Sequence, residues 1–488
     1  MSTTDTSAPP LPALPDRDTR PSRGVAWLLM LTGIAAVLAA LAGLGARATG
    51  SARTTADEPY YLMTAQSLAS DGDLDISNQL AQRSYLPFHE LTVDPQTAPL
   101  RDGRRLSPHD PLLPLLLSPA VAIGGWAAAK AVMAVLAGLT AMIAAWVAIR
   151  HVGVSPSLAV VVVGGLFTGM PLAPYGSQIY PEMAAAMLVT ITCAAILEFG
   201  RRTHPGTTRR IPSWVPLGVA TMGVIALPWL SVKYVPVTVA IAAVAAWRLW
   251  RTGHRQSLWA AGTLLIVAGV AYLLAHHLLY GGWTVYAAGD HFQAGGELSV
   301  VGTSPDLVGR SRRLVGLVVD RSFGIATWSP AWLLIPAAAL NLFTRRHDTR
   351  GALVLPVATA WLVATFVALT MQGWWVPGRQ IVVVLPLAAV AISRLVHDIP
   401  RLRTPVTIAV ALSALNWLWL AAEATFGTRT LVVDFMSTTA PAYRLLAPLM
   451  PDGLRATPID DVLLTVWAVV MTLGSIWLVR RAASGGAQ

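Results

Sequence analysis

The sequence predicts an all-α protein that crosses a membrane about twelve times, and three observations predict it. Of 488 residues, 55% are hydrophobic and only 12% charged, where a soluble domain carries about 25% charged residues. The apolar residues are gathered into runs approaching the ~20 residues that a helix needs to cross the hydrocarbon core. Short clusters of arginine punctuate those runs, as they do on the cytoplasmic side of membrane proteins. This composition excludes disordered, collagen-like and disulfide-scaffold classes. The single cysteine, Cys193, has no partner for an internal disulfide and lies inside an apolar run, where it reads as a small buried side chain.

In chain order, the expected spans are Ala26 to Ala46, Pro114 to Ile149, Pro156 to Pro171, Met183 to Phe199, Val215 to Leu230, Val235 to Trp247 and Leu258 to Leu279. Five more follow: Trp328 to Phe343, Ala352 to Thr370, Ile381 to Val396, Pro405 to Ala424 and Val462 to Val479. The second run is too long for one crossing. Its Pro119 and Gly124-Gly125 predict a short interfacial helix before the true span, because proline and glycine interrupt helices where water or protein satisfies the backbone. Residues 1–24 are Pro-rich without apolar periodicity and read as a disordered cytoplasmic tail; residues 25–480 form the membrane domain, and residues 481–488 a second tail.

The net charge of +10 would suit a nucleic-acid binder only if it were gathered on one soluble face. It is instead distributed by topology, in the groups Arg17/Arg20/Arg23, Arg201/Arg202/Arg209/Arg210, Arg248/Arg251/Arg255, Arg345/Arg346/Arg350, Arg401/Arg403 and Arg480/Arg481. With both termini inside, all of these clusters face the cytoplasm. The connections on that side are short. Three outer loops, about residues 47–113, 280–327 and 425–461, are long and rich in Asp, Tyr, Trp and Gly, so chemistry is expected outside the membrane. There is no GxxxxGK[ST] nucleotide cradle, so the energy for chemistry must arrive with the substrate.

The strongest local signal is Asp57-Glu58-Pro59-Tyr60-Tyr61, beyond the first span. As plain structure it is a helix start, with Asp57 as cap and Pro59 in the first turn. As chemistry it is a carboxylate at the bilayer surface, able to act as general base for a hydroxyl arriving from water against a substrate arriving from lipid. Asp71-Gly72-Asp73-Leu74-Asp75 imitates the opening of a calcium loop, but Ile76 and Gln82 occupy the positions that need Gly and Glu, so it reads as a solvated acidic turn. Ser107-Pro108-His109-Asp110-Pro111 starts the second apolar run, either as an N-cap with Asp110 at the positive helix end or with His109 and Asp110 as acceptor-binding or metal-contacting groups. Tyr180-Pro181-Glu182 sets a carboxylate at the mouth of the fourth span, where an ion must be paired or hydrated.

Lys233 is one of two lysines in the chain, the other being Lys130 within the second span. It falls at an outer hairpin where orientation signals do not require a cation, and a cation there suits a phosphate. Arg379, in Gly373-Trp374-Trp375-Val376-Pro377-Gly378-Arg379, and Arg321, with Asp320 as its expected partner, recur in the same setting. His276 and His277 are adjacent on a helix, poor geometry for a shared metal, and read as structural. Most of the eighteen tryptophans read as an interfacial belt.

These features together resemble the GT-C membrane glycosyltransferases, the superfamily of protein O-mannosyltransferases, aminoarabinose transferases and actinobacterial arabinosyl- and mannosyltransferases. The resemblance covers the membrane plan and is carried by Asp57-Glu58 with Tyr60-Tyr61, by Ser107-Pro108-His109-Asp110-Pro111-Leu112, by Tyr180-Pro181-Glu182 and by Lys233. It implies a polyprenyl-phosphate-linked sugar donor, a cell-envelope acceptor, inverting transfer and catalysis on the outer face, with membrane lipids but no nucleic acid as partners. It implies catalytic roles for Asp57 and Glu58, donor-phosphate contacts from Lys233, Arg379 and Arg321, and sugar or acceptor contacts from Tyr60, Tyr61, His109, Asp110, Tyr180 and Glu182. Asp110 and Glu182 are the candidates to contact a divalent cation, Mg2+ or Mn2+. The chain departs from the aminoarabinose and O-mannosyl branches in His109-Asp110 before the prolines and in Glu182 where Asp is common. The competing readings are a secondary transporter, which Lys130 favours, and a lipid-binding scaffold of the same fold without catalysis.

Overall fold

The computed structural model describes residues 22–202, 214–302, 304–344 and 348–484. Residues 1–21 and 485–488 of the two expected tails, together with Arg209, Arg210, Arg345 and Arg346, lie outside the described residues. Among the described residues there is no β-strand, only three isolated bridges. Every one of the twelve expected apolar runs falls on helix. Among the described residues eight helices are long and apolar enough to cross a bilayer: Arg23–Leu41, Leu112–Arg150, Pro181–Phe199, Val232–Arg251, Arg255–Ala288, Arg350–Val367, Pro400–Thr425 and Pro458–Ser484. Pro156–Phe167, Trp214–Leu230 and Pro330–Thr344 are apolar but shorter, and Leu385–Asp398 is short and almost wholly buried among the others. The protein is a multi-pass membrane protein.

Small residues let the bundle close. Helix Arg23–Leu41 lies against Leu112–Arg150 so tightly that a Cβ on Gly33 would fall 2.6 Å from Met142 Sδ, and one on Gly138 2.8 Å from the Gly33 carbonyl oxygen. Without a hydrophobic drive between helices in lipid, this close backbone approach is where packing energy arises. The expected division of the second run is present as a break within one long helix. Gly124 and Gly125 leave helical geometry, with φ of −144° and +61°, while Pro119 is absorbed without interruption.

The helix directions sort the charges to two ends. At one end Arg150 faces Glu198 (3.9 Å), Arg248 donates to the carbonyls of Ile196 and Asp348, and Arg394 donates to that of Val152. At the other end the three long loops fold over the helix mouths. The first is pinned to the second where Ala98 N–H donates to Ala288 O and Asp290 N–H to Gln96 O (both 3.0 Å). The second meets the third through Arg321, which donates to the carbonyls of Ala447 and Met450.

Candidate active site

The site is assembled where four chain segments meet at the loop-covered end. Asp57 occupies the residue before helix Glu58–Ser70, yet its side chain makes no capping bond; it turns instead to Arg379, whose Nη2 donates to Asp57 Oδ2. The backbone prepares this turn. Ala56 has φ of +46°, a left-handed conformation that a non-glycine residue adopts only when its surroundings impose it. Arg379 follows Gly378, whose φ of +86° and contact with Ile325 and Pro171 leave no room for a Cβ. Its guanidinium lies over the ring of Tyr180 (4.3 Å) and near that of Trp375 (4.9 Å), a stacking arrangement that suits its planar, weakly hydrated charge.

Arg379 Nε also donates to Glu182 Oε1 (3.0 Å), the oxygen that receives Lys233 Nζ at 2.6 Å. Two carboxylates and two cations, from four distant parts of the sequence, thus form one chain: Asp57, Arg379, Glu182, Lys233. Glu182 is 0% exposed, while 29% of the Lys233 side chain and 21% of that of Asp57 remain open. The second oxygen of Glu182 is buried without a partner. Burial pushes the Asp57 carboxyl up, but the charge of Arg379, helped by His109 and Lys233, outweighs it and holds the group at about 2. The guanidinium is driven the other way: burial lowers it and the two carboxylates raise it well above its ordinary value.

Glu58, paired with Asp57 in the sequence reading, serves another purpose. It is 0% exposed, and its two oxygens accept the backbone N–H groups of Thr55 (3.0 Å) and Ile179 (2.7 Å). It therefore ties the turn before Asp57 to the segment before Glu182 and is closed to substrate. Burial raises its carboxyl above the ordinary value, against the charge of Lys130 and these two N–H groups. Lys130 is itself buried and donates to Arg53 O (3.1 Å), so it braces the same turn instead of lining a transport path. Tyr60 and Tyr180 are likewise taken up within the protein. The Tyr60 hydroxyl donates to Asp94 O (2.7 Å) and accepts from Gln96 N–H (3.1 Å); that of Tyr180 donates to Thr55 O (3.2 Å).

His109 does face Asp57 electrostatically. Burial lowers its pKa, Asp57 opposes that and Arg379 reinforces it. Its ring stacks on Tyr61 (4.6 Å between centroids) and its Nε2 lies 3.1 Å from Gln96 Oε1. Asp110 points away from its neighbour. The expected N-cap at Ser107 is not formed; the helix begins at Leu112 with no side-chain cap, and the Ser107 hydroxyl is buried without a partner. Asp110 accepts instead from Val232 N–H (3.0 Å), Tyr272 Oη (3.0 Å) and His276 Nε2 (3.1 Å). His276 Nδ1 faces the Tyr272 carbonyl at 2.8 Å, which fixes the ring between two acceptors.

Asp110, Tyr272 and His276 thereby hold the short turn Val232–Tyr234 that presents Lys233. His276 reads as structural from the sequence and is so here, while Tyr272 is not singled out there; the signal for both is the i, i+4 series Tyr272, His276, Tyr280. Those three are the buried residues of helix Arg255–Tyr280. Gln96 gave no sequence signal at all.

Two expectations about Arg321 fail on geometry. Arg321 does not join the cluster: besides the carbonyls of Ala447 and Met450, its charge meets Asp452 (3.5 Å) and Asp460 (3.8 Å). Its expected partner Asp320 accepts the N–H groups of Ser322, Phe323 and Gly453 instead. Among the described residues no three His, Cys, Asp or Glu side chains converge as a metal would need, and Asp110 spends its oxygens on three donors. Asp71, Asp73 and Asp75 form the acidic turn expected of them, accepting from Asn78 and Gln79, from Ser67, and from Ser77.

The arrangement of helices around this cluster has solved counterparts. ArnT from Cupriavidus metallidurans bound to undecaprenyl phosphate aligns over 94% of this chain and 75% of its own, with a TM-score of 0.53 at 14% identity. The apo state of the same protein aligns over 95% and 75%, with a TM-score of 0.51 at 14% identity. The fold is GT-C-like. An oligosaccharyltransferase from Archaeoglobus fulgidus in the apo form covers 85% of this chain and 57% of its own, at 12% identity and a TM-score of 0.44. No protein-family profile matches the chain, and no curated protein sequence does.

Proposed function

We propose that this GT-C-like protein is a glycosyltransferase that moves a sugar from a polyprenyl-phosphate donor to a cell-envelope acceptor, on the extracytoplasmic face and with inversion. The observation that carries the reading is the buried chain Asp57, Arg379, Glu182, Lys233 at the loop-covered end of such a fold. A carboxylate and two cations together are what transfer from a lipid phosphate requires. The arginines at the opposite helix ends support placing this end outside. A fold relative that was crystallised with undecaprenyl phosphate supports the donor class.

In this reading the acceptor hydroxyl hydrogen-bonds to Asp57 and gives up its proton as its oxygen attacks the anomeric carbon. The bond from that carbon to the phosphate oxygen breaks on the opposite face, and its electron pair leaves with the phosphate. Lys233 and Arg379 stabilise that oxygen, as preorganised charge does in other phosphate sites. Glu182 holds the two cations in place from behind. Arg321 has no part, and Glu58, Asp110 and Tyr180 act by fixing the groups that do.

The test is thermal stability of the detergent-purified protein with a panel of polyprenyl-phosphate sugars, with bare polyprenyl phosphate and free sugars as controls. A ligand of the native state stabilises in proportion to saturation. Selective stabilisation by one lipid-linked sugar is expected, retained in Asp57→Asn while transfer is lost. A response to a free solute and to no lipid phosphate would replace this reading with a transporter.

A further inference from the structure

We infer that Nδ1 of His109 is the final acceptor of the proton released when the acceptor hydroxyl attacks. The inference rests on the glycosyl-transfer reading above and starts from Gln96. The side-chain amide nitrogen of Gln96 lies 3.2 Å from Ala56 O, an atom that can only accept. The NH2 group must therefore face Ala56, which turns Oε1 toward His109 Nε2 at 3.1 Å. An oxygen there requires a hydrogen on Nε2. In the neutral ring Nδ1 is then the unprotonated nitrogen, and among the described residues it has no hydrogen-bond partner. The backbone N–H of Gln96 bonds to Tyr60 Oη and the His109 ring stacks on Tyr61, so both the amide and the ring plane are held.

The carboxylate beside it is a poor place for the proton to stay, since Arg379 occupies one oxygen of Asp57 and holds the group at about 2. The charged groups that act on His109 are Asp57, Arg379, Asp110 and Lys233; Tyr60, Tyr61 and Gln96 complete its surroundings. Burial disfavours the charged ring, and Asp57 favours the imidazolium once the proton arrives. The step balances. The hydroxyl proton, directly or across Asp57, reaches Nδ1, the oxygen electrons form the new glycosidic bond, and the electrons of the old bond leave on the lipid phosphate. The imidazolium keeps its Nε2 hydrogen on Gln96 and afterwards gives the Nδ1 proton to water.

The test is the pH profile of transfer in wild type, His109→Gln and Gln96→Glu, with donor affinity measured alongside, and 15N spectra of histidine-labelled protein. In wild type the rate should fall on the acid side as His109 becomes protonated. His109→Gln should lose about 10²-fold in kcat, the usual worth of general base catalysis, lose that acid limb, and keep donor affinity within about twofold. Gln96→Glu puts a carboxylate on the Nε2 hydrogen, favours the imidazolium, and should move the limb to higher pH. The spectra should show a bare Nδ1 and a hydrogen-bearing Nε2 in the neutral ring. Persistence of the limb in His109→Gln, or a hydrogen on Nδ1 in the neutral ring, would overturn the assignment. Wild-type protein that transfers no sugar from any lipid phosphate would overturn the functional reading instead, with the spectra still deciding the tautomer.

Discussion

The pair Asp57–Arg379 can be measured apart from activity. The fall of the Asp57 carboxyl from 3.8 to about 2, at about 1.4 kcal/mol per pH unit, corresponds to ~2.5 kcal/mol of native-state stabilisation. The folded value lies below the unfolded one, so this stabilisation is complete above about pH 4 and drains away as pH falls toward 2. Replacing Arg379 by Gln leaves Asp57 and Glu182 with only Lys233 to balance them. Breaking a buried pair from one side typically costs about 3–5 kcal/mol, and here the stacking on Tyr180 and Trp375 goes too. Asp57→Asn removes the other partner. If the ion pair is the reason for both losses, the double variant should cost about 2 kcal/mol less than the two single variants combined. The assay is equilibrium unfolding in mixed micelles at neutral pH, with the wild type and Asp57→Asn repeated at falling pH, where only the wild type should lose this increment. Additive costs, with coupling below about 0.5 kcal/mol, would show that the two groups do not pair in solution and would remove the basis of the site.

Three further outcomes are expected. Lys233→Ala should weaken donor binding by about tenfold or more, the worth of one charge-assisted hydrogen bond to phosphate; titration calorimetry with unchanged affinity would end its role. Gly378→Ala should destabilise by about 2 kcal/mol or more, because φ is +86° and the new Cβ would fall 2.7 Å from Ile325 Cγ2. Equal stability in the unfolding assay would count against the backbone path into Arg379. Asp110→Asn leaves one of its three donors facing an amide hydrogen, at a cost of about 1–3 kcal/mol. Because the network holds the Lys233 turn, it should also raise the donor dissociation constant, and a stability loss with donor binding intact would separate the two.

The membrane plan was legible because bilayer thickness imposes run length and the arginines mark one side, both properties of the sequence itself. Asp57 stands out in the sequence as a candidate because it is an acid just beyond the first span, at the surface where water and lipid meet. Its assignment needed Arg379, 322 positions away, and no periodicity joins residues so far apart. Glu58 shows the converse. Its chemistry reads as catalytic, yet its fate is decided by two backbone N–H groups, one of them at Ile179, that need partners once buried. The Asp110 network was hidden because His276 was weighed against its neighbour His277 instead of against Tyr272 and Tyr280, one turn away on each side. Arg321 pairs with distant groups because Asp320, next to it in sequence, is spent on the backbone of its own turn and on Gly453.

Helix Arg255–Tyr280 is 26 residues long, about 39 Å at the usual rise, against a hydrocarbon core of ~30 Å. It leans, or carries its polar ends into the headgroup regions, and its main hold on the protein is the one row Tyr272, His276, Tyr280. Any change in its lean acts on Asp110 and, through Val232, on Lys233. Lipid chain length thus becomes a mechanical input to Lys233, the cation proposed to meet the phosphate, and bilayers of different thickness are different working environments for one and the same site.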